Sequence, residues 1–79
     1  MNEQAIAERI TVNPNVMMGK PTIRGLRITV EQILKALAAG IPVPELIEEY
    51  PELEAEDFRA IFLFTAELVG ETKLYPVAV

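Results

Sequence analysis

Lys20, Arg24 and Arg27 are the residues whose type and spacing could do chemistry: three cations with no acid between them, with Lys35 a little further on. Arginine's planar fork suits phosphate, carboxylate or a guanine edge, so these four side chains are candidates for binding nucleic acid or an acidic partner. The same guanidiniums could instead pair with carboxylates of their own chain, and spacing does not choose between the two readings. Gly19-Lys20-Pro21-Thr22 has the look of a phosphate loop, but the upstream glycine is missing and Pro21 replaces the hydroxyl residue that should follow the lysine. The acid pairs Glu48-Glu49 and Glu56-Asp57 point in different directions on a helix and bring no third ligand, so no metal site is expected.

Composition removes most catalytic options. With no cysteine, histidine or tryptophan, the chain has no disulfide, no thiolate or imidazole metal ligand, and no Ser-His or Cys-His pair. A non-enzymatic protein without cofactor follows, and the absence of cysteine permits a reducing cytoplasm. At 79 residues there is room for one small domain, whose limited core makes a partner or a second copy plausible. A hydrophobic fraction of 51% argues against disorder, and neither a leader segment nor a membrane span is indicated.

The net charge of -5 conceals a division. Up to Lys35, Arg9, Lys20, Arg24, Arg27 and Lys35 outnumber Glu3, Glu8 and Glu31, a balance of +2. From Ala36 onward, Arg59 and Lys73 face nine carboxylates, a balance of -7. The front could therefore meet an anion and the back a basic partner, or both could be ordinary solvated charge.

The elements that must position these charges follow from periodicity and punctuation. Ile10-Thr11-Val12 and the run Thr22 to Val30, broken at Gly25, read as two short extended segments that could pair, separated by a loop containing Pro14, Gly19 and Pro21. Thr29 with Gln32 forms a capping-box pattern ahead of Val30, Ile33, Leu34, Leu37 and Ala38, and Gly40 supplies the stop. Val43, Leu46, Ile47 and Tyr50 mark a second helix, closed by Pro51, whose outer face is Glu45, Glu48 and Glu49. Glu54, Glu56 and Asp57 suit the start of a third helix with the stripe Phe58, Ile61, Phe62, Thr65, Leu68 and Val69, ending at Gly70.

That third helix is apolar nearly all round, which places Leu63 and Phe64 against a second subunit or a partner. Leu74 and Val77, in an apolar tail interrupted by Pro76, call for a neighbouring strand or chain in the same way. The expected organisation is an N-terminal extension over 1–9, one domain over 10–70 and a C-terminal tail over 71–79. The second and third helices have the outline of a helix-turn-helix, although three carboxylates at the start of the last helix would repel phosphates.

The set Ile10 to Val12, Gly19-Lys20-Pro21-Thr22-Ile23-Arg24-Gly25-Leu26-Arg27-Ile28, Val30, Ile33-Leu34, Gly40, Tyr50-Pro51, Leu53 and Asp57 resembles the domain-of-unknown-function family numbered four-three-three. The resemblance implies a mainly α fold, a three-helix homeodomain-like helix-turn-helix bundle with a short N-terminal β element. It also implies a bacterial antitoxin-like protein encoded beside a PIN-like ribonuclease. Leu26 stands where the family usually has threonine, Pro42 where a serine cap is common and Glu54 where threonine or serine often caps, so a polar contact at Leu26 is not carried over. The leading expectation is a dimeric, cytoplasmic antitoxin that neutralises such a nuclease, with operon autoregulation as a companion role. A DNA-binding regulator using Lys20, Arg24, Arg27 and Lys35, or a homo-oligomeric interaction module, is the alternative.

Overall fold

The computed structural model of the protein describes residues 2–71. In chain order these form α1 (Glu3–Ala7), β1 (Ile10–Thr11), a short 3-10 turn (Met17–Gly19), β2 (Thr22–Ile23), α2 (Val30–Ala38), α3 (Val43–Glu49) and α4 (Ala55–Glu71). The architecture is mainly helical with one small antiparallel sheet, in which Ile10 faces Ile23 and Thr11 faces Thr22. The two extended segments expected from the sequence are therefore paired, but the second is cut short. Arg24 and Gly25 both have positive φ, 46° and 73°, and the Leu26 N–H donates to the Ile23 carbonyl at 2.7 Å. This is the backbone of a type I′ hairpin turn. The chain then returns along β2, with Ile23 N–H donating to Ile28 at 3.0 Å and Thr29 bridging Thr22.

Thr29 ends that return and begins α2, its hydroxyl accepting the Gln32 N–H at 3.0 Å. Only half of the capping box forms, because the Gln32 side-chain amide donates instead to the Tyr50 hydroxyl at 2.8 Å and ties α2 to the end of α3. At the other end of α2, Gly40 takes φ +92°, its N–H donating to Leu37 at 3.0 Å while Ile41 N–H donates to Ala36 at 3.1 Å. That pair of bonds is a Schellman cap, which needs a left-handed residue. Pro42 and Pro44 then open α3, where the missing N–H groups cost the helix nothing.

The core comprises Ile23 and Ile28 from the hairpin, Val30 and Ile33 from α2, Leu46 from α3, Leu53 from the following turn, and Phe58 and Ile61 from α4. Two findings depart from the sequence reading. Residues 3–7 form a helix capped by the Asn2 side chain, which accepts Ala5 N–H at 2.8 Å, and bury Ile6 completely against the fold. And α4 runs through Gly70 to Glu71, so only its first half reaches the core: Phe62, Leu68 and Val69, assigned to the buried stripe from periodicity, are 52%, 51% and 60% exposed. The periodicity is real, but α2 and α3 are too short to cover the last two turns of a helix of 17 residues. Leu74 and Val77 lie outside the described residues.

The Schellman cap yields the first prediction. Gly40→Ala meets no atom within 4 Å, so its cost is conformational alone. It should destabilise the protein by about 1 kcal/mol and lower the thermal midpoint by roughly 4–8 °C, measured by circular dichroism.

Candidate functional site

Asp57 is fully buried, and its carboxylate is the most highly coordinated polar group among the described residues. It sits in the first turn of α4, where the helix dipole favours an anion. The Glu54 backbone N–H donates to it at 2.8 Å, the half of a capping box in which the acid three residues into the helix reaches back to the cap. Arg24 grips both carboxylate oxygens in a fork, Nε at 3.0 Å and Nη2 at 3.0 Å, and also donates from Nη2 to the Glu52 carbonyl. Arg9 Nη1 reaches the same carboxylate at 3.0 Å and Glu54 Oε1 at 2.7 Å. No buried side-chain nitrogen or oxygen among the described residues lacks a partner.

Burial by itself pushes the Asp57 carboxyl up, away from its ionised form. The hydrogen bonds from Arg24, from the Glu54 backbone and from Arg9 outweigh that desolvation and hold it below its ordinary value of 3.8. Asp57 is a carboxylate locked in an ionic clasp. A carboxylate so fully occupied is poorly placed to act as a general base, and its contacts tie the N-terminal segment and the hairpin to α4.

The clasp settles where the candidate cations stand. Arg24 closes over Asp57 from the surface, its side chain still 32% exposed, and its left-handed backbone lets its N–H donate to the Arg9 carbonyl at 2.7 Å. Lys20 and Lys35 share one carboxylate, Glu31, at 2.8 and 3.3 Å, and Lys20 first and then Lys35 hold that carboxyl below its usual value. Arg27 is exposed and makes no ion pair among the described residues. The four are thus not gathered into one patch of free positive charge. Leu63 and Phe64 are half-buried, Phe64 packing on the core and Leu63 lining a small cavity beside Glu3, Ala7 and Ile10.

Anions are distributed differently. Glu56 pairs with Arg59 at 3.4 Å and Glu54 with Arg9, but Glu45, Glu48 and Glu49 on α3 and Glu52 after it are exposed. None of these four side chains makes an ion pair among the described residues. The outer face of α3 is a free acidic surface. Sequence reasoning named its three glutamates but missed Arg9 and the inward role of Asp57; the available signal was a lone arginine directly before the first strand and an acid three residues after Glu54.

Residues 10–65 match the profile of the family described as a protein of unknown function, DUF433. The chain belongs to DUF433. Arg24 and Asp57 both fall inside the matched region, and Arg9 lies just before it. The chain is 33% identical over 60 residues to the uncharacterized protein y4eO of Sinorhizobium fredii, a match over 76% of this chain and 27% of that protein. It therefore spans little more than a quarter of that relative's length. The crystal structure of a DUF433 member from Anabaena variabilis superposes with a TM-score of 0.75 at 31% identity, covering 86% of this chain and 67% of the other. The DUF433 fold seen here thus has a solved counterpart.

Two predictions follow from the clasp. Asp57→Asn keeps the shape but leaves Arg24 without its anion and Arg9 with Glu54 alone, and should cost roughly 3 kcal/mol, read as a thermal midpoint lower by more than about 10 °C. Because the folded carboxyl titrates below its unfolded value, its contribution is fully present above 3.8 and is lost as pH falls through the folded value. The acid destabilisation of the native protein should be correspondingly smaller in the variant. Arg24→Ala should lower the denaturant midpoint clearly, whereas Arg27→Ala should stay within about 0.5 kcal/mol of the native protein.

Proposed function

We infer that this DUF433 protein is a non-enzymatic, antitoxin-like binder whose acidic α3 face docks on the basic, RNA-contacting surface of a PIN-like ribonuclease and so blocks it. One observation carries the reading: Glu45, Glu48, Glu49 and Glu52 stand exposed without a cationic partner among the described residues, while Arg24, Lys20 and Lys35 are each engaged with a carboxylate. A ribonuclease must present cations to RNA phosphates, and a row of carboxylates on a short helix offers the same charge to that surface. The nuclease itself is supplied by the family resemblance, in which such proteins are encoded beside PIN-like enzymes.

In this reading α2, α3 and α4 form the homeodomain-like helix-turn-helix unit, used as a scaffold for the acidic face, and the protein works in the cytoplasm. No helix among the described residues is long and apolar enough to cross a membrane. DNA binding takes second place, because Arg24 is committed to Asp57 and the start of α4 carries Glu54 and Glu56.

The test is inhibition of the neighbouring nuclease by purified protein. The triple variant Glu45→Lys, Glu48→Lys, Glu49→Lys, all at exposed positions, should keep its helical spectrum and lose at least about 100-fold in affinity for the nuclease. Unchanged inhibition by the variant would sink the proposal.

A further inference from the structure

The last two turns of α4 carry an apolar surface that is independent of the acidic face. On one side they overhang α2, leaving a groove of about 440 Å³ walled by Leu34 and Ala38 of α2 and by Phe64, Thr65 and Leu68 of α4, and lined also by Glu31 and Lys35, which pair with each other at 3.3 Å. Beside the groove stands a ridge, Phe62, Ala66 and Val69, spaced i, i+4 and i+7. At about 100° per residue Val69, Thr65 and Leu68 follow one another around the helix, so ridge and groove are contiguous. From Ala60 to Gly70 the only charged residue is Glu67, and it lines the small cavity on the α1 side. The exposed part of this helix is therefore electrically neutral where it is apolar.

We propose that a second copy of this chain covers this face, the α4 ridge of each protomer seating in the groove between α2 and α4 of its partner. Three considerations select a second copy. An occupant must be largely apolar, since the charges that line the groove, Glu31 and Lys35, already pair with each other, and the highly cationic surface of a nucleic-acid-binding partner is not. It must also cover ridge and groove together, and two contiguous, mutually complementary features on one helix are filled reciprocally by a single two-fold axis. The lengths are comparable, since the eight-residue ridge from Phe62 to Val69 spans about 10 Å and the α2 wall of the groove, from Val30 to Ala38, about 12 Å.

Area supports the same occupant. Phe62, Leu68 and Val69 are each half or more exposed. With the groove walls they offer on the order of 500 Å² per protomer, so that a pair reaches the roughly 1,000 Å² of a specific interface at its lower limit. A dimer of modest affinity follows.

The experiment uses the full chain, whose lack of cysteine makes single thiols diagnostic. Sedimentation over a concentration series should give a mass twice 8.8 kDa at high concentration. Val69→Glu, at an exposed position, should weaken association at least tenfold with an unchanged helical spectrum. Mixed Ala38→Cys and Ala66→Cys proteins should cross-link with a short bis-maleimide. A mixture of Ala38→Cys and Ala55→Cys, the latter about 16 Å further along α4, should not. A single 8.8 kDa species throughout, or a dimer indifferent to Val69→Glu and cross-linked equally in both mixtures, overturns the proposal and hands the groove to another occupant. None of these readouts needs a nuclease, so the result is independent of the proposed function.

Discussion

A carboxylate in a protein interior keeps its charge only if something else supplies what water supplied, and at Asp57 that requirement organises the fold. A backbone N–H at the start of α4 and two guanidiniums from the other end of the chain meet on one side chain. The contacts join residues 48 and 33 positions apart, so neither the N-terminal segment nor the hairpin can be placed without α4. Two short strands of two residues each would hold no shape alone. Here they are strung between a packed isoleucine core and an ionic clasp.

The clasp also sorts the charges of the molecule. The front half of the chain is the cationic half, yet most of its cations are paired within the chain, two on the buried Asp57 and two on Glu31 at the surface. The acidic half spends only some of its carboxylates in that exchange. The carboxylates left without a cationic partner among the described residues are concentrated on and just after α3. The apolar end of α4 stands apart from this charge and offers contact of another kind.

Much of the local structure was legible. Thr29 and Gly40 mark the ends of α2 by side-chain and backbone chemistry that needs no tertiary information, and both perform as their types require. The pairing of the two β-prone runs and most of the core follow from alternation and helical spacing. What stayed hidden depends on relations across the chain. Asp57 reads as an ordinary dipole acid until Arg24 is brought to it, and Arg24 reads as an anion reader until it closes over Asp57. The stripe on α4 has one period from end to end, but burial depends on how far the neighbouring helices reach, which α4's own residues do not encode. The five-residue α1 is too brief for periodicity to reveal and owes its place to Ile6.

Arg24 occupies a backbone conformation that an L-residue with a long side chain adopts at a cost, where glycine or asparagine would form the same turn readily. The hairpin is consequently a conditional structure. Its turn is strained by itself and becomes favourable only while the Asp57 carboxylate is in reach. Local opening of the hairpin and fraying of the first turn of α4 are then coupled, since each releases the contact on Asp57 that holds the other.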